Sequence, residues 1–259
     1  MRYALAVIAF CLFLIPPAAL RSDDRERRAT SLLTAAYPDF ILGVENNMVL
    51  WRDGTRMPFD DGAPYKDWLT VLTSPDLQDQ LSIPYPRHLA AGFRPWKNQD
   101  PGRIRYEPFF KKMYGATQKE VEANLTAIDW MPHVKKQRLL VTRINGVDKK
   151  LTAVSAELEK LDPTYRPWLI DIGGTYSYRT IQGTGRLSTH SYGIAIDLNV
   201  SRTEYWKWEH HRELDDFEYQ NSLPLVIVEI FEKYGFIWGG AWYHYDTMHF
   251  EYRPELLVK

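Results

Sequence analysis

The chain has 259 residues, 45% hydrophobic and 25% charged, which is enough apolar material for a globular core and excludes a disordered chain. Its formal net charge of −1 excludes nucleic acid as the main partner, because no positive excess is there to meet phosphate. The single cysteine, Cys11, lies in an apolar N-terminal run, so the rest of the chain has no disulfide and depends on packing, or on a metal, for its fold.

In chain order, "MRYALAVIAFCLFLIPPAAL" carries one basic residue, an apolar stretch from Tyr3 to Ile15, then Pro16-Pro17 and small residues. This layout predicts a secretory signal peptide over residues 1–20, and with it export to the periplasm or cell envelope. The apolar stretch is shorter than the ~20 residues of an ordinary membrane span. An uncleaved anchor is the other reading, since no clean small-x-small cleavage site follows. Contact with the membrane is expected through this segment alone. "SDDRERRATSLLTAA" (22–36) reads as a charged helix or a linker. "FILGVENNMVLWRDG" (40–54) reads as two strands around Asn46-Asn47, which tolerate the left-handed backbone of a tight turn. Residues 55–103, rich in Pro, Gly and Asp, predict only short helices. Helices are expected over 103–115 and 117–128, the second with a capping box from Thr117 and Glu120. "QRLLVTRI" (137–144) predicts a strand. Val147, Leu151, Val154 and Leu158 fall on one face of a helix over 146–162.

Past this point the texture changes. "WLIDIGGTYSYR" (168–179) and "YGIAIDLNV" (192–200) read as strands, 201–221 as a polar and aromatic loop. Residues 222–235 read as a helix capped by Ser222 and stopped by Gly235, and 236–255 as short closing strands. The expected organisation is a signal segment (1–20), an accessory region of short helices and strands (21–135), and an α+β domain (136–259).

The ionisable residues of the last region suggest chemistry. His190 stands seven residues before Asp197. Along a strand rising ~3.3 Å per residue the two would be too far apart, unless Ser191-Tyr192-Gly193 turns the chain back, which the positive φ open to Gly permits. A salt bridge between a loop His and a strand Asp is the plain alternative. His249 lies three residues after Asp246. His190, Asp197 and His249 form a candidate three-ligand set, which leaves a fourth zinc position open as in catalytic sites. Two histidines and a carboxylate also suit non-haem iron. The additional Asp246 and the expected export favour zinc hydrolysis. His88, His133 and the His210-His211 pair are weaker candidates, and His244 faces either the cleft or the far side of its segment.

The ordered motifs S-x-H-x-x-G-x-A-x-D (Ser188, His190, Gly193, Ala195, Asp197) and D-x-x-H-F-E (Asp246, His249, Phe250, Glu251) resemble the zinc D-Ala-D-Ala carboxypeptidase/L-Ala-D-Glu endopeptidase family. That family includes the vancomycin-resistance carboxypeptidases and phage endolysin peptidases. "YSYRTIQ" is similar to a further family segment and matches Arg179 and Gln182. The resemblance spans roughly 137–256 and has no counterpart for the accessory region. It implies a small antiparallel sheet with flanking helices carrying Zn2+ on His190, Asp197 and His249. It also implies Asp246 as general acid/base, Arg179 holding a substrate carboxylate or the developing oxyanion, Ser188 and Gln182 on the substrate, and peptidoglycan stem peptides as the substrate class. Glu251 is expected to orient a ligand from behind. Trp238 and Trp242 belong either to the cleft wall or to the core. "WGGAW" (238–242) and an Asp at position 246 resemble the L-Ala-D-Glu branch. A D-Ala-D-Ala carboxypeptidase or dipeptidase is the near alternative, and a non-catalytic wall-binding or regulatory protein on the same fold is the distant one.

Overall fold

A computed structural model describes residues 17–208 and 216–258, with side chains from residue 24 onward. Most of the segment read as a signal therefore lies outside the described residues, as do His210 and His211. Among the described residues, no helix is long and apolar enough to cross a membrane.

The described residues begin with helix α1 (Pro17–Ala36), which turns Ala29 and Leu33 into the core. A three-stranded antiparallel meander follows: β1 (Ile41–Glu45), β2 (Met48–Trp51) and β3 (Arg56–Pro58). Asn46 and Asn47 both take positive φ at the β1–β2 turn, as a two-residue hairpin with native twist requires. The long segment after β3 holds two short helices, α2 (Trp68–Thr73) and α3 (Leu77–Gln80), each capped by an aspartate. Helix α4 (Glu107–Tyr114) buries Phe109, Phe110, Met113 and Tyr114.

Helix α5 (Gln118–Glu122) has the expected capping box of Thr117 and Glu120 but stops early. Its predicted second half is instead β4 (Leu125–Trp130), paired over six residues with β5 (Gln137–Thr142). A continuous strand partner outweighs the weak local preference for helix at these positions. The expected division at 135/136 falls in the connection between these two paired strands, and one hydrophobic cluster runs from Ala29 to Tyr252 across it. Helix α6 (Val147–Leu158) buries Val147, Leu151, Val154 and Leu158, the face read from the sequence.

The strand expected over 168–179 does not form. Residues Arg166–Leu169 make a helical turn, α7, and residues 170–179 loop past the site with one bridge, between Gly174 and Asp197. A Cβ on Gly173 would stand 3.1 Å from that of Asp197, so Gly-Gly here serves close backbone approach rather than a ladder. The final sheet has the order β6 (Ala195–Asp197), β8 (His249–Tyr252), β7 (Phe236–Trp238), all antiparallel, with α8 (Leu225–Lys233) packed on β7. The cap of α8 is Pro224 and not Ser222, whose hydroxyl donates to the carbonyl of Arg202 at 2.8 Å. Strand β8 alternates strictly. Phe250 stacks on Phe231 and Tyr252 meets Phe236 in the core, while His249 and Glu251 face the other way. The architecture is α+β with small antiparallel sheets, as the sequence predicts.

Candidate metal centre

Sheet register places two of the three candidate ligands. Asp197 of β6 and His249 of β8 are direct cross-strand partners, so their side chains share one face. The third, His190, comes from a 3-10 turn (Thr189–Tyr192) that ends on Gly193 at φ 67°. No other residue fits at 193, because an added Cβ would meet Leu125 Cδ2 at 2.7 Å and the Thr142 nitrogen at 3.0 Å. The turn carries His190 back over the strand it precedes. Its Nε2 lies 3.2 Å from Asp197 Oδ2 and 3.3 Å from His249 Nδ1, and His249 Nδ1 lies 2.9 Å from Asp197 Oδ1.

Second partners fix the ring tautomers. His190 Nδ1 donates to the carbonyl of Thr175, which can only accept. His249 Nε2 donates to Glu251 Oε2 at 3.0 Å, and a carboxylate likewise only accepts. With both rings neutral, the remaining ring nitrogens, His190 Nε2 and His249 Nδ1, turn lone pairs toward each other and toward the Asp197 carboxylate. The three ligand atoms lie within 4.8 Å of one another. Three acceptors pointed at one place call for a cation between them, and this donor set, two imidazoles and a carboxylate, fits zinc. A proton competes with a cation for this place. Burial opposes charge on His249, yet its hydrogen bonds to Asp197 and Glu251 raise it to about 10. Burial would raise Asp197, but the charges and hydrogen bonds of His190 and His249 hold it below the usual carboxylate range.

Asp246 sits beside this cluster. Its nitrogen donates to the Gly239 carbonyl at 3.1 Å, and its carbonyl accepts from the His249 nitrogen at 3.1 Å. A Cβ on Gly239 would come within 2.6 Å of the Asp246 oxygen, and one on Gly240 within 2.1 Å of the Trp238 ring. The two glycines of "WGGAW" thus let the 239–246 loop close on itself. Asp246 Oδ1 is buried without a hydrogen-bond partner. Burial raises its carboxyl to about 6, with Asp197 adding to the rise and the charges of His249, His190 and Arg103 opposing it. A carboxylate so poised suits proton transfer near neutrality.

A cleft of about 480 Å³ opens over these groups, and Arg179, Gln182 and Ser188 all line it. Arg179 is held by its backbone. Its nitrogen donates to the Ser191 hydroxyl at 2.9 Å, and its carbonyl accepts from that hydroxyl at 2.8 Å and from the Ser188 nitrogen at 3.0 Å. The loop bearing Gln182 is pinned by Leu187, whose nitrogen donates to Glu107 Oε2 of α4 at 2.9 Å. Ser188 is buried and its side chain accepts from the His190 nitrogen, capping the turn that delivers the ligand. Trp242 walls the cleft, 5.7 Å from the His249 ring, whereas Trp238 is core, its indole donating to the Thr247 carbonyl. His244 also lines the cleft. It is buried against Asp100, with Nδ1 2.8 Å from Oδ2, and stacked on Trp68. His133 lies on the surface, paired with Glu159, and His88 is exposed in the accessory region.

Sequence reasoning missed most of the wall: Arg103 and Arg105 from the accessory region, Arg186, and the aromatic-basic run Tyr205–Trp208. One signal was present. Arg103 and Arg105 flank Ile104, a basic-apolar-basic triplet of which Ile104 is buried. With Arg179, Arg186 and Lys207 they make a cleft far richer in cations than the near-neutral chain suggests.

Comparison with known proteins falls on this part of the chain. Residues 182–252 match a family model described as D-alanyl-D-alanine carboxypeptidase. The chain is 29% identical over 113 residues to the peptidoglycan L-alanyl-D-glutamate endopeptidase CwlK of Bacillus subtilis (strain 168). That match covers 42% of this chain and 63% of the relative, so the chain spans less than two thirds of its length. No solved structure matches significantly. The segment that builds the site is thus similar to peptidases of the D-Ala-D-Ala carboxypeptidase/L-Ala-D-Glu endopeptidase family, in line with its motifs.

Proposed function

We propose that the protein is an exported zinc peptidase that hydrolyses peptidoglycan stem peptides at the L-Ala-D-Glu bond. The observation that carries this reading is the set of three inward-facing acceptors, His190 Nε2, Asp197 and His249 Nδ1, beside the unpartnered carboxylate oxygen of Asp246. His190, Asp197 and His249 would hold a zinc ion, which would supply polarisation of a scissile carbonyl and a bound water with its pKa lowered to about 7. Asp246 takes the proton of the attacking water and returns it to the leaving amine. Arg179, permanently charged, holds a carboxylate of the substrate or the developing oxyanion. Gln182 and Ser188 contact the peptide from the same wall. The basic cleft suits a stem peptide, whose D-Glu and terminal residues bring several carboxylates. Export over residues 1–20 accords with a substrate outside the cytoplasm, and residues 21–135 act as an accessory region to the 136–259 peptidase.

The matched family model favours a second reading, removal of a terminal D-Ala. Digestion of sacculi followed by mass spectrometry separates the two. A new D-Glu N-terminus, with L-Ala left on the sugar side, supports the endopeptidase. Loss of one D-Ala supports the carboxypeptidase. Binding to sacculi with no new product would identify a non-catalytic wall-binding protein.

A further inference from the structure

Behind the ligand His249 runs a buried row of alternating charge. Glu251, Arg253 and Glu255 of the C-terminal segment are all fully buried. Arg253 donates from Nε to Glu255 Oε1 at 2.6 Å, and from Nη1 to Glu251 Oε1 at 2.9 Å and the Gly102 carbonyl at 2.6 Å. Two carboxylates thus share one guanidinium, and a second is needed to balance them. Arg105 supplies it from the accessory region, 146 positions away in sequence. Its Nε lies 3.2 and 3.1 Å from the two Glu251 oxygens, and its Nη2 lies 2.5 Å from Oε2. That same Oε2 accepts from His249 Nε2 at 3.0 Å and from the Thr189 hydroxyl at 3.1 Å. The segment preceding Arg105 is held by the Gly102–Arg253 bond and the one following by the Tyr106 nitrogen, which donates to Gln80 Oε1 at 2.9 Å.

We propose that Arg105 is a positioning residue for the metal centre: by clamping Glu251 against Nε2 of His249, it fixes the ring that turns Nδ1 to the ion. This rests on the reading of His190, Asp197 and His249 as zinc ligands. The accessory region then completes the site and is not merely attached to it. Arg105 also lines the cleft and lies 5.5 Å over the Trp242 ring, so a direct role in holding substrate is the competing assignment. Its Nε and Nη2 are already committed to Glu251, which favours positioning. Partners behind a metal ligand govern metal affinity, commonly by roughly 10–100-fold. A substrate-binding cation has no such effect on the substrate-free protein.

The test is zinc affinity of the full chain, measured without substrate by chelator competition, for the parent, Arg105→Met, Glu251→Gln and the double variant. The expected result is roughly 10–100-fold weaker binding for Arg105→Met, with the double variant no weaker than Glu251→Gln alone. Parental affinity in Arg105→Met would overturn the proposal, as would losses that multiply in the double variant, since Arg105 would then act independently of Glu251. If Arg105→Met does not fold, Arg105→Lys decides. It keeps the charge without the fork, so a loss of several-fold supports the clamp and parental affinity overturns it. A parent that binds no zinc would instead overturn the reading of the site itself, and this proposal with it.

Discussion

The cleft has two builders of opposite kind. The C-terminal sheet supplies the acceptors, with Asp197 and His249 paired across adjacent strands and His190 on a four-residue turn just before β6. The connection between α3 and α4 supplies cations, Arg103 at the end of a turn and Arg105 two residues on. Acceptors that must meet one small ion need fixed spacing, and a ladder with a glycine-stopped turn provides it. Guanidiniums reach across several ångströms and need only a wall to stand on. The comparison teaches that chemistry is encoded locally here, while charge balance is assembled from afar.

The comparison is broken most severely at the acceptors. Purified protein is expected to hold about one zinc per chain. His190→Ala, Asp197→Ala and His249→Ala should each lose most of it by elemental analysis, and unchanged stoichiometry in all three would remove the metal from the site.

Next in size is the carboxylate between the two builders. Asp246→Asn should retain zinc and lower the hydrolysis rate by roughly 10²–10⁴-fold, the usual contribution of a general acid/base. As a base Asp246 works ionised, and its carboxyl is raised to about 6. Activity should therefore fall as pH drops through about 6, and a bound cation, by favouring the ionised form, moves that limb lower. An acid limb that persists unchanged in Asp246→Asn would assign the proton to another group.

Smaller again is the effect at the wall. Arg179→Ala should cost about 10–100-fold in kcat/KM, the scale of a lost charged hydrogen bond, with zinc affinity unchanged. That outcome sharpens the contrast with Arg105, whose replacement is expected to move zinc affinity itself. The smallest effect belongs to a position far from the cleft. Thr117→Ala removes the capping box of α5 and should destabilise the fold by roughly 1 kcal/mol in denaturant unfolding, leaving zinc binding and turnover untouched.

How far the sequence could be read depended on how far apart the interacting residues stand. Thr117 and Glu120 close their capping box over three residues, and Asn46-Asn47 turn a hairpin between neighbours, so both were legible. The four apolar residues of α6 follow the helix period and were legible too. Where a partner decided the outcome, local reading failed. Leu125–Trp130 became a strand because β5 lies beside it, and 168–179 did not become one because Gly173 must pass close to Asp197.

The sequence marks His190, Asp197 and His249 as a candidate set and supplies the Gly193 turn, while the register of β6 on β8 brings Asp197 and His249, 52 positions apart, face to face. The sequence by itself also determined the face of Glu251, two residues from His249 on a strand of period two. Only the tertiary structure decided which cation answers Glu251, which tryptophan of "WGGAW" faces the cleft, and that Asp246 keeps a bare oxygen there. Range separates the two cases. A turn or the alternation of a strand fixes geometry between covalent neighbours and shows as a period along the chain, whereas a ladder partner or the counter-ion of a buried charge is found wherever packing brings one, and that choice leaves no period in the sequence.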